Sequence, residues 1–251
     1  MLSQSPITDS TAFHSESCLL LPTQAEGRHE AIATSSHHPS CTTVANLGAI
    51  AGARSWAVRY VPEGSAGRAE AEALIHSRYQ SIHGATVGTC MPHLYAISAP
   101  DEGIAGAVGI RMMEKKSGLV ERYLDHPIEV LLKDLTDQPI NREDLVEVGN
   151  LAAANIPVAV LLIAFLFEEC SRLGRSHAVF TGTHAVRLAL RRAKVPHQII
   201  QPADPNRLGA DKDEWGRYYE CDPHIMVVDV AAGLARIRDH FWISRVPTCG
   251  S

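Results

Sequence analysis

Three features are missing from the sequence, and each absence removes a broad class of function. The longest apolar run, residues 156–167, has about half of the length that a membrane-spanning helix needs. Basic residues are not in excess, since 23 Lys and Arg stand against 28 Asp and Glu. The N-terminus has no positively charged segment ahead of an apolar one. We therefore expect a cytoplasmic protein that binds neither membranes nor DNA, while a local contact with a charged tRNA or an acyl carrier protein stays open.

A complete set of metal ligands is also missing. Cys90 and His93 are separated by two residues, as are Cys221 and His224, and this spacing is found in half of a zinc site. The six cysteines are otherwise irregularly spaced, and such short pairs arise readily by chance in loops. We predict that the two pairs are unrelated and that the protein holds no metal and no bound cofactor.

The composition divides the chain into three parts. Residues 1–53 are rich in Ser, Thr, His, Ala and Pro and show no sustained periodicity. Such a segment buries too little apolar surface to offset the entropy of ordering it. We predict a flexible N-terminal tail over 1–53, one domain over 54–240 and a C-terminal tail over 241–251.

The first half of the predicted domain contains a strand, a helix and a hairpin. Trp56, Val58 and Tyr60 alternate with polar or small residues, which indicates a strand. A turn at residues 100–103 has the composition of a hairpin connection. The predicted elements here are a strand at 56–60, a helix at 68–83 with Ala69, Ala73, Leu74 and Gln80 at helical spacing, and strands at 91–99 and 104–113.

The second half is organised around residues 145–183, which predict a strand, a turn, a buried helix and a second strand. A crossover of this kind implies parallel strands with the helix packed on one face of the sheet. Further on, the pattern predicts a helix at 184–194, a strand at 195–200 and a helix at 227–240. The whole indicates an α/β or α+β domain. Within the first strand, Glu147 and Asn150 are polar residues in an otherwise apolar segment.

Six short segments, in this order, resemble the thermostable hemolysin family. That family is related in fold to the GNAT acyltransferases and is similar to the acyl-homoserine-lactone synthases. The resemblance implies a GNAT-like mixed sheet flanked by helices, and it does not by itself imply haemolysis. The segments are Met91-Pro-His-Leu and residues 121–129, 146–152, 179–183, 204–209 and 215–219.

The resemblance implies that a thioester donor lies in a groove beside the strand that begins at Leu145. The usual Arg/Gln-x-x-Gly-x-Gly/Ala phosphate loop is absent, because residues 153–157 read Ala-Ala-Asn-Ile-Pro. This departure favours a donor bound through its pantetheine arm or another carrier. Acyl-CoA, acyl carrier protein and aminoacyl-tRNA are the co-substrates considered. The predicted donor-binding residues are Gly149, Leu151, Ala152, Ala153 and Asn155.

Glu147 and Asn150 are the predicted catalytic residues. A carboxylate on a core strand has its pKa raised by burial, toward the range that suits a general base. Alternatively, Glu147 pairs with Arg122, Arg111 or a backbone amide and only stabilises the fold. The amide of Asn150 could bind the acceptor or hydrogen-bond to the neighbouring strand.

Three further groups are predicted to bind substrate, each with a structural alternative. The groups are, in order, Arg122, Tyr123 and Asp125; Thr181 and Thr183; and Trp215, Tyr218 and Tyr219. The Arg122 group could bind an acceptor carboxylate, or could cap and tether the helix that follows it. The threonines could contact ligand at the end of a strand, or could cap the next helix. The aromatic group could supply the acid that protonates the leaving thiolate, or could pack under a loop.

The function that these expectations describe is N-acyl transfer to a small amine, in secondary metabolism or in signalling. The amine would attack a bound thioester or ester directly, with no covalent enzyme intermediate. The alternative is a non-catalytic binding protein, or a haemolysis-associated protein, that keeps the fold and has lost the phosphate loop.

Overall fold

The computed structural model describes residues 42–47, 56–114, 117–133, 135, 139–240 and 243–248. Its core is a seven-stranded mixed sheet with helices on both faces. The strands are β1 Thr42–Leu47, β2 Ala57–Val61, β3 His93–Ser98, β4 Ile104–Met112, β5 Leu145–Ala153, β6 His177–Gly182, β7 Gln198–Pro202, β8 His224–Asp229 and β9 Ile243–Thr248. The α-helices are α1 Ala66–His83, α2 Ile128–Leu132, α3 Ile156–Arg172, α4 His184–Arg192 and α5 Val230–His240. Short 3-10 helices span Leu119–Tyr123, Arg142–Asp144, Pro205–Trp215 and Tyr218–Cys221.

The strand order in the main sheet is β2-β3-β4-β5-β6-β8-β7. Strands β5 and β6 run parallel, and every other neighbouring pair in this sheet is antiparallel. This confirms the mixed α/β sheet and the parallel unit formed by β5, α3 and β6. The crossover helix α3 is apolar almost all round, because it lies between the sheet and α5. At the closest approach of the two helices, a Cβ atom on Gly233 would lie 2.0 Å from Phe167.

The two faces of the sheet have separate covers. Helix α3 packs on one face with residues of α4 and α5 and forms the main apolar core there. On the other face, α1 covers the β2–β5 side. The segment Leu119–Tyr123, α2 and the segment Pro205–Trp215 cover the β5–β8 side of that same face. None of the helices in the described ranges is long and apolar enough to cross a membrane.

The structure differs from the sequence prediction at α1 and at β8. The buried residues of α1 are Arg68, Ala71, Ile75, Arg78 and His83, whereas Ala69, Ala73 and Gln80 are exposed and Leu74 is half-buried. The helix is therefore present, but the spacing that indicated it does not mark its buried face. The predicted helix from residue 227 begins only at Val230, since 224–229 form a strand inserted between β6 and β7.

Two stretches of the predicted tails form secondary structure. Strand β1 pairs with β9 in a separate two-stranded antiparallel sheet. The sequence pattern did not predict this pair. The rest of the predicted tails lies outside the described residues.

Candidate functional site

A groove opens where β5 and β6 diverge. Their backbone pairing ends at Val148 and Phe180, although β5 continues to Ala153 and β6 continues to Gly182. Beyond Val148, the edge of β5 that faces β6 is therefore free of strand pairing. An unpaired strand edge presents backbone N–H and C=O groups that can bond an extended ligand.

A β-bulge shapes the same part of β5. Asn150 and Leu151 together face the single residue Val108 of β4. Asn150 has a φ of 54°, in the left-handed region that asparagine tolerates better than most residues. Its side-chain Oδ1 accepts a hydrogen bond of 2.7 Å from the backbone N–H of Met91. The amide therefore holds the bulge against the segment that leads into β3, and not against a neighbouring strand as the structural alternative for Asn150 had it.

The side chain of Met91 packs closely over two glycines beside the bulge. A Cβ atom on Gly149 would lie 2.5 Å from Met91 Cε, and one on Gly109 would lie 2.4 Å from Met91 Cβ. Gly109 therefore needs glycine for this packing, because Met91 Cβ cannot move independently of the backbone. At Gly149, next to the last residue that pairs with β6, a larger residue would require the terminal methyl group of Met91 to shift.

The groove continues into a cavity that passes between the two diverging strands. The space between atoms is about 1040 Å³, including the open mouth. One end lies under α3 and is apolar, with Ile163, Leu166, Phe167, Cys170, Ala178, Phe180, Val186, Leu190, Val228 and Val230 in its wall. The other end is more polar and lies against α1, with Arg78, Tyr79, Ile82, His83, Thr181, Thr183 and Tyr218 in its wall. The β5 residues Val148, Gly149, Asn150, Leu151, Ala152 and Ala153 line the passage between them. No Asp or Glu is among these lining residues.

Arg78 brings a buried cation to the polar end of the cavity. Its side chain is on the inward face of α1, and the residue is only 6% exposed. Its Nε and Nη1 atoms are buried and have no hydrogen-bond partner. Burial lowers the pKa of the Arg78 guanidinium. The cavity wall therefore carries donor groups and a charge that the described protein atoms do not satisfy.

Tyr218 reaches the polar end because its segment docks onto the end of α1. A Cβ atom on Gly216 would lie 2.3 Å from the carbonyl oxygen of His83, so only glycine fits there. The ring of Tyr218 stacks on that of Tyr79, with centroids 6.4 Å apart. Its hydroxyl donates to the carbonyl oxygen of Thr181 at 3.4 Å. Burial is the main cause that raises the pKa of Tyr218 well above its usual value, so the phenol stays protonated at neutral pH.

His83 is a neutral imidazole at the same end. It is 6% exposed and contacts the rings of Tyr79 and Tyr218 edge-on. Burial, followed by the positive charge of Arg217, lowers the pKa of His83 to about 4. At neutral pH it therefore adds no positive charge to that of Arg78.

Glu147 does not line the cavity. It is 1% exposed and lies under the segment Leu119–Tyr123. Its Oε1 accepts from Val120 N–H at 2.8 Å, and its Oε2 lies 3.0 Å from Nη1 of Arg111, directly opposite on β4. Burial raises the pKa of the Glu147 carboxyl, and the Val120 N–H and the Arg111 guanidinium oppose that rise. These contacts are those of the structural alternative, with Arg111 and a backbone amide as partners.

The cluster of Arg122, Tyr123 and Asp125 is also outside the cavity. Each of the three bonds to the segment formed by residues 205–219. Arg122 pairs with Asp211 at 2.8 Å, Asp125 pairs with Arg207, and the hydroxyls of Tyr123 and Tyr219 lie 2.9 Å apart. Helix α2 has no side-chain cap, so the predicted capping by this cluster is wrong. The cluster instead ties the segment before α2 to the segment before β8.

The remaining predicted residues divide between the cavity and helix capping. Thr183 lines the cavity and also accepts from Val186 N–H as the N-cap of α4. Asn155 is the N-cap of α3 and accepts from Val158 N–H at 3.0 Å. Trp215 packs on the rings of Tyr79 and Tyr218, outside the cavity wall. The predicted residues that the structure brings together in the cavity are Gly149, Asn150, Leu151, Ala152, Ala153, Thr181, Thr183 and Tyr218.

The N-terminus of α3 offers few free donors for phosphates. Pro157 has no N–H, and the N–H of Val158 is bonded to Asn155. Among Ile156, Pro157 and Val158, the first three residues of α3, only Ile156 has a backbone N–H that this cap does not use. This agrees with the missing glycine-rich loop. Within the described ranges, no group of three or more His, Cys, Asp or Glu residues could hold a metal ion.

Comparison with known proteins places this architecture in a class. The AHL synthase LasI aligns over 77% of this chain and 100% of its own, with 12% identity and a TM-score of 0.52. FeeM, an N-acyl amino acid synthase from uncultured soil microbes, aligns over 74% of this chain and 94% of its own, with 11% identity and a TM-score of 0.50. The chain thus has the GNAT-like fold that these proteins share. The model of the thermostable hemolysin family matches residues 61–234, and the chain belongs to that family. No curated protein matches it.

Proposed function

We propose that this protein is a GNAT-like N-acyltransferase. It moves an acyl or aminoacyl group from a thioester or carrier-bound donor to a small amine by direct attack. The observation that carries the proposal is the passage between β5 and β6. There, a free strand edge and a bulge stand between the apolar end of the cavity under α3 and the polar end against α1. We call these two ends the apolar chamber and the polar chamber.

The apolar chamber suits the acyl chain of the donor, and the polar chamber suits the amine acceptor. An acyl chain gains free energy by leaving water, so it belongs in the apolar chamber under α3. The pantetheine arm can pair with the free edge of β5 from Gly149 onward, as an added strand would. The reacting carbonyl then lies at the bulge, where backbone N–H groups can stabilise the developing oxyanion. The amine enters from the polar chamber beside α1.

The transfer needs one new bond and one broken bond. The amine nitrogen attacks the thioester carbon, the C–N bond forms, and the C–S bond breaks. The Tyr218 hydroxyl, which lines the chamber, donates a proton to the leaving thiolate. The proton that the amine nitrogen loses returns to Tyr218 through solvent. Because no Asp or Glu lines the cavity and Arg78 is positively charged, the amine is favoured in its neutral, nucleophilic form.

Glu147 has a positioning role in this proposal. Its carboxylate bonds to Arg111 and to the N–H of Val120, so it fixes β5 to β4 and to the segment that covers them. A general base has to come within hydrogen-bond reach of the amine. Glu147 is not in the cavity wall, so removal of the amine proton is left to water.

The poor phosphate site at the N-terminus of α3 favours a donor held mainly by its pantetheine arm or its carrier. Acetyl-CoA, octanoyl-CoA, decanoyl-CoA, decanoyl acyl carrier protein and an aminoacyl-tRNA are suitable test donors. A ligand at 100 times its Kd stabilises the folded state by about 2.7 kcal/mol, which raises the melting temperature by several degrees. We expect at least one long-chain donor to do so.

A variant that fills the apolar chamber makes this test specific. Ala178→Leu puts three more carbons into the wall under α3. It should remove the stabilisation by decanoyl donors and keep any stabilisation by acetyl-CoA. Arg192→Gln, on the exposed side of α4, is the matched control. If no donor raises the melting temperature of the wild type and no amide product forms, the non-catalytic alternative replaces the transferase proposal.

A further inference from the structure

The guanidinium of Arg78 differs from the other buried guanidinium groups of the fold. Arg68 donates to the carbonyl oxygens of Met91 and Pro92 and pairs with Glu72. Arg187 donates to the carbonyl oxygen of Gly182 and pairs with Asp222. Both are thus satisfied by the protein. In Arg78, two of the three nitrogens are buried without a hydrogen-bond partner, and no described carboxylate forms an ion pair with it.

The surroundings of Arg78 do not balance its charge. The cavity that it lines has no Asp or Glu in its wall. The tyrosine hydroxyls of Tyr79 and Tyr218 are both held in their neutral form, because burial is the main cause that raises the pKa of each. An unpaired charge is costly to withdraw from water, and proteins keep one chiefly where a ligand completes the pair. The missing partner is therefore an anion that enters this cavity.

The position of Arg78 decides which part of the substrates supplies the anion. A phosphate of CoA or of a carrier arm stays at the solvated mouth of a groove, whereas Arg78 is 6% exposed. A thioester carbonyl is neutral and leaves the charge unbalanced. The polar chamber holds the acceptor in the proposed reaction, and a carboxylate on the acceptor matches a guanidinium in charge and in planar geometry.

We infer that Arg78 is the specificity-determining residue that binds a carboxylate of the acceptor, so that the amine acylated by this protein is an amino acid. This inference rests on the proposed acyl transfer. Arg78 does not take part in bond making. Its guanidinium holds the carboxylate while the amino group of the same molecule reaches the thioester at the bulge of β5.

The first test compares acceptors that differ only in the carboxylate. The pairs are leucine with isoamylamine, phenylalanine with phenethylamine, and glycine with methylamine. Amide formation from a donor that stabilises the wild type is followed by mass spectrometry. We expect at least one amino acid to exceed its decarboxylated partner by about 30-fold or more in kcat/KM. Equal values for all three pairs would overturn the inference while leaving the transferase proposal in place, and no product from any amine would count against the transferase proposal itself.

The second test uses variants of Arg78. In Arg78→Gln, kcat/KM for the amino acid should fall by about 30-fold or more relative to kcat/KM for the plain amine, so the preference disappears. Arg78→Lys keeps the charge without the planar pair of donors and should keep part of the preference. Arg192→Gln should keep all of it. Loss of turnover to the same extent for amino acids and plain amines would contradict the assignment.

The third test does not depend on activity. Because the folded protein carries the cost of an unpaired buried cation, Arg78→Gln should melt at a higher temperature than the wild type when no ligand is present. A residue with only a structural role would show the opposite sign. A lower melting temperature for both Arg78→Gln and Arg78→Lys, together with equal wild-type rates on the paired acceptors, would refute the role of Arg78.

Discussion

The side-chain oxygen of Asn150 lies 2.7 Å from the backbone nitrogen of Met91 and accepts its hydrogen bond. This contact joins the bulge of β5 to the segment that leads into β3. Since the bulge stands where β5 leaves β6, the contact fixes one wall of the proposed donor groove. A polar residue in an apolar strand thus has a structural role next to the proposed reacting centre.

Asn150→Ala should destabilise the protein by about 2 kcal/mol. It leaves the Met91 N–H without its acceptor, and it forces an alanine into the left-handed region. Asn150→Gly removes the same acceptor, but glycine adopts the left-handed backbone conformation freely. This variant should therefore lose less stability than Asn150→Ala. Free energies of unfolding from urea titrations measure both. Equal losses for the two variants would show that backbone conformation contributes nothing at this position.

The Arg111 and Glu147 side chains should be energetically coupled. Glu147 is buried and Arg111 is about one-third exposed, so removal of either partner leaves the other imperfectly paired. In a double-mutant cycle of Arg111→Met and Glu147→Gln, we expect a coupling free energy of roughly 1–3 kcal/mol. Glu147→Gln should keep most of its turnover per folded molecule. A loss of turnover of about 1000-fold with unchanged stability would instead make Glu147 the general base.

Stability should depend on pH through His83. The pKa of His83 is lowered from 6.5 to about 4 in the folded state, so the unfolded chain binds a proton first as the pH falls. The contribution of neutral His83 to the free energy of unfolding is fully present above pH 6.5. It is lost as the pH falls toward 4, by roughly 3 kcal/mol in all.

A glutamine at position 83 keeps a neutral polar group and does not titrate. The difference in unfolding free energy between the wild type and His83→Gln should therefore fall as the pH is lowered through this range. All the other titrating groups are common to both proteins and cancel to first order. A difference that stays constant from pH 7 to pH 4 would show that the pKa of His83 is not lowered.

Tyr218→Phe should lower kcat with little change in KM. The hydroxyl is proposed to protonate the leaving thiolate, and general acids of this kind contribute about 100-fold or more. The aromatic ring, which stacks on Tyr79, is kept. Tyr219→Phe is the matched control, because the Tyr219 hydroxyl bonds to Tyr123 outside the cavity. Comparable losses in the two variants would assign the effect to packing of the aromatic cluster.

The central part of the fold could be predicted from local pattern. The apolar run after Pro157 has the length and composition of a buried crossover helix, and it fixed the parallel arrangement of β5 and β6. Strand β8 was missed because its apolar run continues into α5, and periodicity alone cannot divide a buried strand from a helix.

The site was predicted in part: residues of β5, Thr181, Thr183 and Tyr218 were named, but no residue of the wall formed by α1 was. On β5, Glu147 and Asn150 followed from a mismatch within a single strand, and the donor-binding residues followed from the family resemblance; most of these residues line the cavity. The opposite wall was missed because α1 buries Arg68 and Arg78 along with Ala71 and Ile75. A search for apolar spacing therefore selects the wrong face of this helix. Arg78 satisfies the same helical spacing, but its burial depends on contacts distant in sequence.

The central claim is that an acyl thioester binds between β5 and β6. The most direct measurement is photo-cross-linking with a decanoyl-CoA or a decanoyl acyl carrier protein that carries a diazirine near the end of its acyl chain, followed by peptide mapping. We predict labelling of residues 163–170 of α3 or 178–180 of β6. Excess unlabelled donor should compete with this labelling, and Ala178→Leu should reduce its yield. Competable labelling at other surfaces, or none within the cavity, would contradict it.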